Sequence, residues 1–170
     1  MDALIVYGSL INESELVQGG FCVDRTCPII AQGFKRIFRQ EPSWRRSDLG
    51  KERAVLNAVS SQPHWLNGLL IWGLDDDFFT DLDEREKGYE RIGVDPSSLR
   101  RYDSSSTTPK PRNIYIYTGD IDKQSDSILP NESYLRTCLE GAEQWGEDFY
   151  SDFLHSTFVR DNVLLNTYLE

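Results

Sequence analysis

The stretch GLLIWGLDDDFFTDLDEREKGY, residues 68–89, changes character along its length. Gly68 to Leu74 is a short apolar run of strand type. Asp75-Asp76-Asp77 then offers several N-caps to FFTDLDEREK, where acids near the start suit the helix dipole, and Gly88 supplies a C-terminal stop. The spacing therefore predicts one helix set directly behind a strand. Further strands are expected at Leu4 to Tyr7, Gly33 to Arg39, Ala54 to Val59 and Asn113 to Thr118, the last alternating Ile with Tyr. Ser60-Ser61-Gln62-Pro63 is turn-prone and is expected to separate Ala54–Val59 from Gly68–Leu74.

After Pro130 the apolar period changes. Leu135, Cys138, Leu139, Ala142 and Trp145 recur at three and four, Gly146 breaks the run, and Phe149, Tyr150, Phe153 and Leu154 begin a second stripe. Hairpin-like strands followed by late helices predict an α+β fold: a small mixed, mostly antiparallel β-barrel or sheet with flanking helices. The 170 residues, 39% hydrophobic and 12% aromatic, suit a single domain over 1–170. Ser43–Arg53, Asp95–Arg112 and Asp120–Ser127 are polar and loop-like, and none reads as an interdomain linker.

A formal charge of -10, from 28 acidic against 18 basic residues, disfavours nucleic acid or an anionic lipid surface as the main partner. No run approaches the roughly 20 apolar residues of a membrane span, and MDALIVYGSL lacks the features of a secretory signal, so a cytoplasmic protein with a small-molecule partner is expected. Cys22, Cys27 and Cys138 write neither a disulfide framework nor a zinc set; they are expected as reduced thiols, with a redox pair at Cys22/Cys27 left open. His64 and His155 stand at neither metal-ligand nor triad spacing.

Two places break the core pattern. On the helix after Asp77, Phe78, Leu82, Glu86 and Tyr89 follow one another at four, four and three, so Glu86 falls where a hydrophobe is expected. A carboxylate against apolar neighbours has its charged form disfavoured and its pKa raised, which suits a general base; a Glu at the rim of the core, paired with Arg85 or Arg91, is the alternative. The second place is Tyr7-Gly8-Ser9-Leu10, set directly against an apolar strand. Gly there admits close approach of a ligand to the backbone and the Ser hydroxyl adds a hydrogen bond, although an ordinary bend would read the same way. Ser9 lacks the Gly-x-Ser-x-Gly context of a nucleophile elbow, which argues against a serine hydrolase.

VYGSL at the end of the first strand, taken with LDEREKGY, resembles the γ-glutamylcyclotransferase superfamily, and the second segment is most similar to its glutathione-specific, ChaC-type branch. GFKRIFR, RAVLNAV and NGLLIWGL follow in matching order, with IYTG and GAEQWG more loosely. The sequence departs from that branch at Asn12, where Trp is usual, and in the shortened Glu86-Lys87-Gly88-Tyr89. The resemblance implies a compact mixed barrel, Glu86 as acid/base, and a substrate cradle of Tyr7, Gly8, Ser9 and Leu10. The implied reaction cyclises a γ-glutamyl group to 5-oxoproline without metal or cofactor.

It also implies that the Tyr117 hydroxyl lines the pocket, with Tyr115 on the same strand face. For Tyr117 and Tyr89 alike, packing in the core is the alternative. Arg45, Arg46, Lys51 and Arg53 concentrate positive charge and would either receive a peptide carboxylate or form a solvated loop. A monomer or homodimer is expected. The competing functional reading is a non-catalytic module of the same fold that binds a γ-glutamyl or other small ligand.

Overall fold

The structure, a computed structural model, describes residues 1–42, 50–105 and 107–170. The chain runs β1 (Asp2–Val6), α1 (Glu13–Gln18), β2 (Thr26–Gln40), β3 (Glu52–Leu74), α2 (Asp76–Arg85), β4 (Tyr89–Gly93), β5 (Leu99–Arg101), β6 (Ile114–Gly119), β7 (Leu129–Pro130), α3 (Glu132–Gln144), α4 (Glu147–Ser156), β8 (Thr157–Val159), β9 (Val163–Leu164) and α5 (Leu165–Tyr168). Among the described residues the strands form one sheet of order β4-β6-β1-β3-β2-β8-β9, with β5 added to β2 and β7 to β3.

Every residue of β1 is buried, as suits a strand bonded on both sides and covered on both faces. It pairs antiparallel with β3, from Asp2↔Leu74 to Val6↔Leu69, and parallel with β6. The α+β class is as expected, but the sheet is not closed. β4 pairs only with β6 and β9 only with β8, so a barrel would need a β4–β9 ladder that the described residues do not form. The sheet instead curls until the end of β6 reaches β3, where the Gly119 N–H donates to Asn57 Oδ1 at 2.6 Å.

The turn expected at Ser60–Pro63 is absent, and β3 runs through it as a single 23-residue strand. Both halves pair with β2: Gln32 lies opposite Trp65 and Phe34 opposite Ser60, which leaves Ser61–His64 facing Gly33 alone. Pro63, with no N–H to give, falls in that unpaired bulge, where the ladder asks nothing of it. Composition therefore signalled a break in pairing that is a bulge and not a reversal.

The helices follow their caps. Asp75 accepts from Phe78 N at 2.8 Å to start α2, and Asn131 accepts from Tyr134 N at 3.0 Å to start α3. α3 buries Leu135, Cys138 and Ala142, α4 buries Phe149 and Phe153, and Gly146 separates the two helices, matching the expected stripes. The tail returns to the sheet as β8 and β9, and Leu165 at the start of α5 is fully buried.

Arg36 on β2, 0% exposed, joins these layers. Its Nε donates to Thr157 Oγ1 (2.7 Å). Nη1 reaches Asn67 O (2.5 Å) and Tyr7 O (3.3 Å), and Nη2 reaches Asn67 Oδ1 (2.7 Å), Ser156 Oγ (2.9 Å) and Phe153 O (3.4 Å). Replacing Arg36 with Met strands these acceptors in the interior and is expected to cost about 3 kcal/mol or more. Arg36→Lys, lacking the planar fork, should recover only part of that in urea denaturation at neutral pH.

Candidate active site

The register of β1 ends at Val6, and Tyr7 leaves the ladder with its carbonyl held by Arg36 and its hydroxyl donating to Tyr117 O at 2.6 Å. Gly8 then caps a single 3-10 turn, Ser9–Ile11, closed by Ile11 N to Gly8 O (3.1 Å). The N–H groups of Ser9 and Leu10 stand at the start of that turn, ahead of any intrahelical acceptor. A Cβ on Gly8 would lie 2.5 Å from the Tyr134 hydroxyl oxygen, so the loop passes under α3 only because this residue has no side chain.

Facing this loop is the end of α2. The helix stops at Arg85, and Glu86 is its C-cap, with φ -85° and ψ 47°, its N–H donating to Leu82 O at 2.9 Å. Gly88 takes φ +91°, a conformation natural to glycine, and turns the chain into β4, with Tyr89 N returning to Glu86 O (3.1 Å). Asp120 N (2.7 Å) and Gln40 Nε2 (3.4 Å) donate to the Gly88 carbonyl and pin the turn to β6 and β2. Tyr89 thus opens a strand and is not the last residue of a helical stripe; its hydroxyl donates to Leu56 O at 3.0 Å.

Between the two segments lies a cavity of about 380 Å³. Tyr7, Gly8, Ser9, Leu10, Glu86, Tyr89 and Tyr117, the residues singled out from the sequence, all line it. The Glu86 side chain is half-buried, and among the described residues no hydrogen bond or ion pair ties its carboxylate. Burial raises its pKa above the ordinary carboxylate value, and the neighbouring Arg85 charge partly opposes that shift. Burial likewise raises the hydroxyl pKa values of Tyr7, Tyr89 and Tyr134, so these groups are neutral at physiological pH.

The Tyr117 hydroxyl donates to Asp83 Oδ1 at 2.5 Å, and Asp83 also receives Arg91 at 2.9 Å. The expected pocket hydroxyl is therefore already engaged by Asp83. Tyr115 is not part of the cavity wall; its ring packs on Phe79 at 5.2 Å and under the Arg91 guanidinium. Sequence reasoning missed Tyr134, Leu56, the α1 residues Glu15 and Gln18 and the helix's C-cap Gly19, which also line the cavity. Tyr134 sits one place before the apolar stripe of α3, a position legible as amphipathic packing but silent about a partner 126 residues earlier at Gly8.

Of the basic cluster, Arg45 and Arg46 lie outside the described residues. Arg53 is spent on a bidentate pair with Glu41, 2.7 Å on each arm, and Lys51 is exposed. Cys22 is exposed, Cys27 and Cys138 are buried, and none of the three is in a disulfide. His64 contacts Ser61 Oγ, and His155 contacts Ser151 on its own helix. Among the described residues no group of three or more His, Cys, Asp or Glu is placed to hold a metal, and no helix is long and apolar enough to cross a membrane.

No family model and no curated protein matches this sequence. Solved structures do. A protein described as a gamma-glutamyl cyclotransferase superposes with TM-score 0.63 at 15% identity, over 89% of this chain and 85% of its own. An uncharacterized human protein gives 0.63 at 17% identity over the same shares. A yeast γ-glutamyl cyclotransferase described as specific to glutathione gives 0.59 at 14% identity, over 99% of both chains. These likenesses establish that the chain has the γ-glutamyl cyclotransferase fold.

The close approach at Gly8 makes a direct prediction. Gly8→Ala forces the loop and the Tyr134 ring apart and is expected to destabilise the protein by about 1–3 kcal/mol, and Tyr134→Phe in the same chain should relieve part of this loss, read by thermal unfolding of the single and double variants.

Proposed function

We propose that this protein is a γ-glutamylcyclotransferase that cyclises the γ-glutamyl group of glutathione or of a γ-glutamyl amine or amino acid. The observation that carries the reading is Glu86: a half-buried carboxylate with no partner among the described residues, on the wall of a cavity whose other side is the Tyr7–Leu10 backbone. Structural partners quench most buried carboxylates, whereas one left open toward a cavity is placed to exchange a proton with a ligand. Likeness of fold to γ-glutamyl cyclotransferases supports the same reading.

Nucleophile and electrophile belong to one substrate. Its α-amine attacks its own γ-carbonyl carbon, the new C–N bond closes a five-membered lactam, and the original amide C–N bond breaks to release the amine. Holding the glutamyl chain folded back makes the attack unimolecular, which removes an entropic part of the barrier. Ionised Glu86 takes a proton from the substrate ammonium and returns one to the leaving nitrogen. The Ser9 and Leu10 N–H groups receive the substrate α-carboxylate or the developing oxyanion, and the rings of Tyr7 and Tyr89 exclude water. The residues need no metal or redox group for this sequence, and we place the enzyme in the cytoplasm, as a monomer or homodimer.

The test is incubation of the pure protein with glutathione, γ-glutamyl-alanine and γ-glutamyl-lysine, with assay for 5-oxoproline. Saturable binding without product from any of them would instead favour the binding-module reading. Glu86→Gln should lower turnover by at least about 10²-fold while leaving thermal unfolding nearly unchanged. Because the base must be ionised and its pKa is raised, kcat/KM should fall as pH drops through that pKa, above the ordinary carboxylate range. A pH–rate profile lacking such an acid limb would remove Glu86 from the role.

A further inference from the structure

We propose that Arg85 reads a carboxylate on the leaving half of the substrate, so that the site prefers γ-glutamyl conjugates of amino acids and peptides over γ-glutamyl amines. Among the described residues Arg85 is the one cationic side chain lining the cavity. It directly precedes Glu86, the group proposed to protonate the leaving nitrogen, and its charge acts on that carboxylate, which assigns it to the leaving half of the substrate. Both terminal nitrogens donate to the Gly19 carbonyl of the α1 C-terminus at 3.3 Å, long contacts that hold the guanidinium across the gap between α2 and α1.

Among the described residues this guanidinium has no ion-pair partner within 4 Å: its hydrogen bonds go to one carbonyl, and its charge acts on the neighbouring Glu86 carboxylate from farther off. A planar, exposed fork in that state offers a carboxylate a charge-assisted, bidentate partner. The cluster expected from sequence to meet a peptide carboxylate has Arg53 already committed to Glu41, so among the described residues that task falls to Arg85.

This assignment rests on the proposed use of the cavity, and a binding measurement separates the two. γ-Glutamyl-alanine and γ-glutamyl-ethylamide differ by one carboxylate. Titrated calorimetrically into the Glu86→Gln protein, which cannot turn them over, the alanine conjugate should bind about tenfold tighter. Adding Arg85→Gln should abolish that ratio, and Arg85→Lys should restore part of it. Equal affinities in the parent, a ratio that survives Arg85→Gln, or no binding of either ligand overturns the assignment. Wild-type protein that forms no 5-oxoproline while the ratio behaves as expected would remove the cyclotransferase and leave the role of Arg85 standing.

Discussion

The buried guanidinium of Arg36 is the constraint on which the arrangement depends. A cation taken out of water costs several kcal/mol unless its donors are satisfied and some opposing charge is near. No described carboxylate pairs with it. The compensation is a ring of oxygens from Tyr7, Asn67, Phe153, Ser156 and Thr157, together with the Phe153 ring 4.0 Å from the guanidinium carbon. Two of those oxygens belong to the last turn of α4, the negative end of its dipole. Burial draws the Arg36 pKa down to about 9, which still leaves it charged at neutral pH. A single charge thereby fixes where β1 ends, where α4 stops and where β8 begins, and the first of these sets the start of the Tyr7–Leu10 loop.

The cavity shows a division of labour among its tyrosines. Tyr7 and Tyr89 turn their hydroxyls away to backbone carbonyls, and Tyr117 gives its hydroxyl to Asp83. What they contribute to the cavity is ring surface. A carboxylate bounded by such rings loses hydration, and the Arg85 charge only partly offsets that loss, which is the physical origin of the raised Glu86 pKa. In the proposed function the polar work of binding is left to main-chain groups of the loop and to charges at the rim.

Local signals in the sequence were read well because local physics decides them. Asp75 caps α2 and the period after Pro130 marks α3 and α4, whereas the stripe drawn through Phe78, Leu82, Glu86 and Tyr89 gives way in α2 to burial of Phe79 and Leu82, with Glu86 as the C-cap and Tyr89 in β4. What escaped were decisions made across the sheet. The Ser60–Pro63 bulge looks like a hairpin turn in composition, and only pairing of both flanks with β2 shows otherwise. Short strands such as Leu99–Arg101 and Thr157–Val159 owe their form to an available edge of β2 more than to their own residues. Arg36 falls between Phe34 and Phe38 on one buried strand face, and nothing local shows the oxygens that α4 and β8 bring to it. The tyrosine segments were recognisable through resemblance, while Tyr134 and the α1 wall were not, since a contact between distant helices leaves no trace in spacing.

The contact between Gly8 and Tyr134 has a consequence for biogenesis. The loop and Glu86 leave the ribosome well before the helices that roof them and the Ser156–Thr157 pair that completes the Arg36 shell. A nascent chain carrying every group with a proposed chemical role is therefore still without a roof over the hollow. The hollow is roofed only when the C-terminal layer docks.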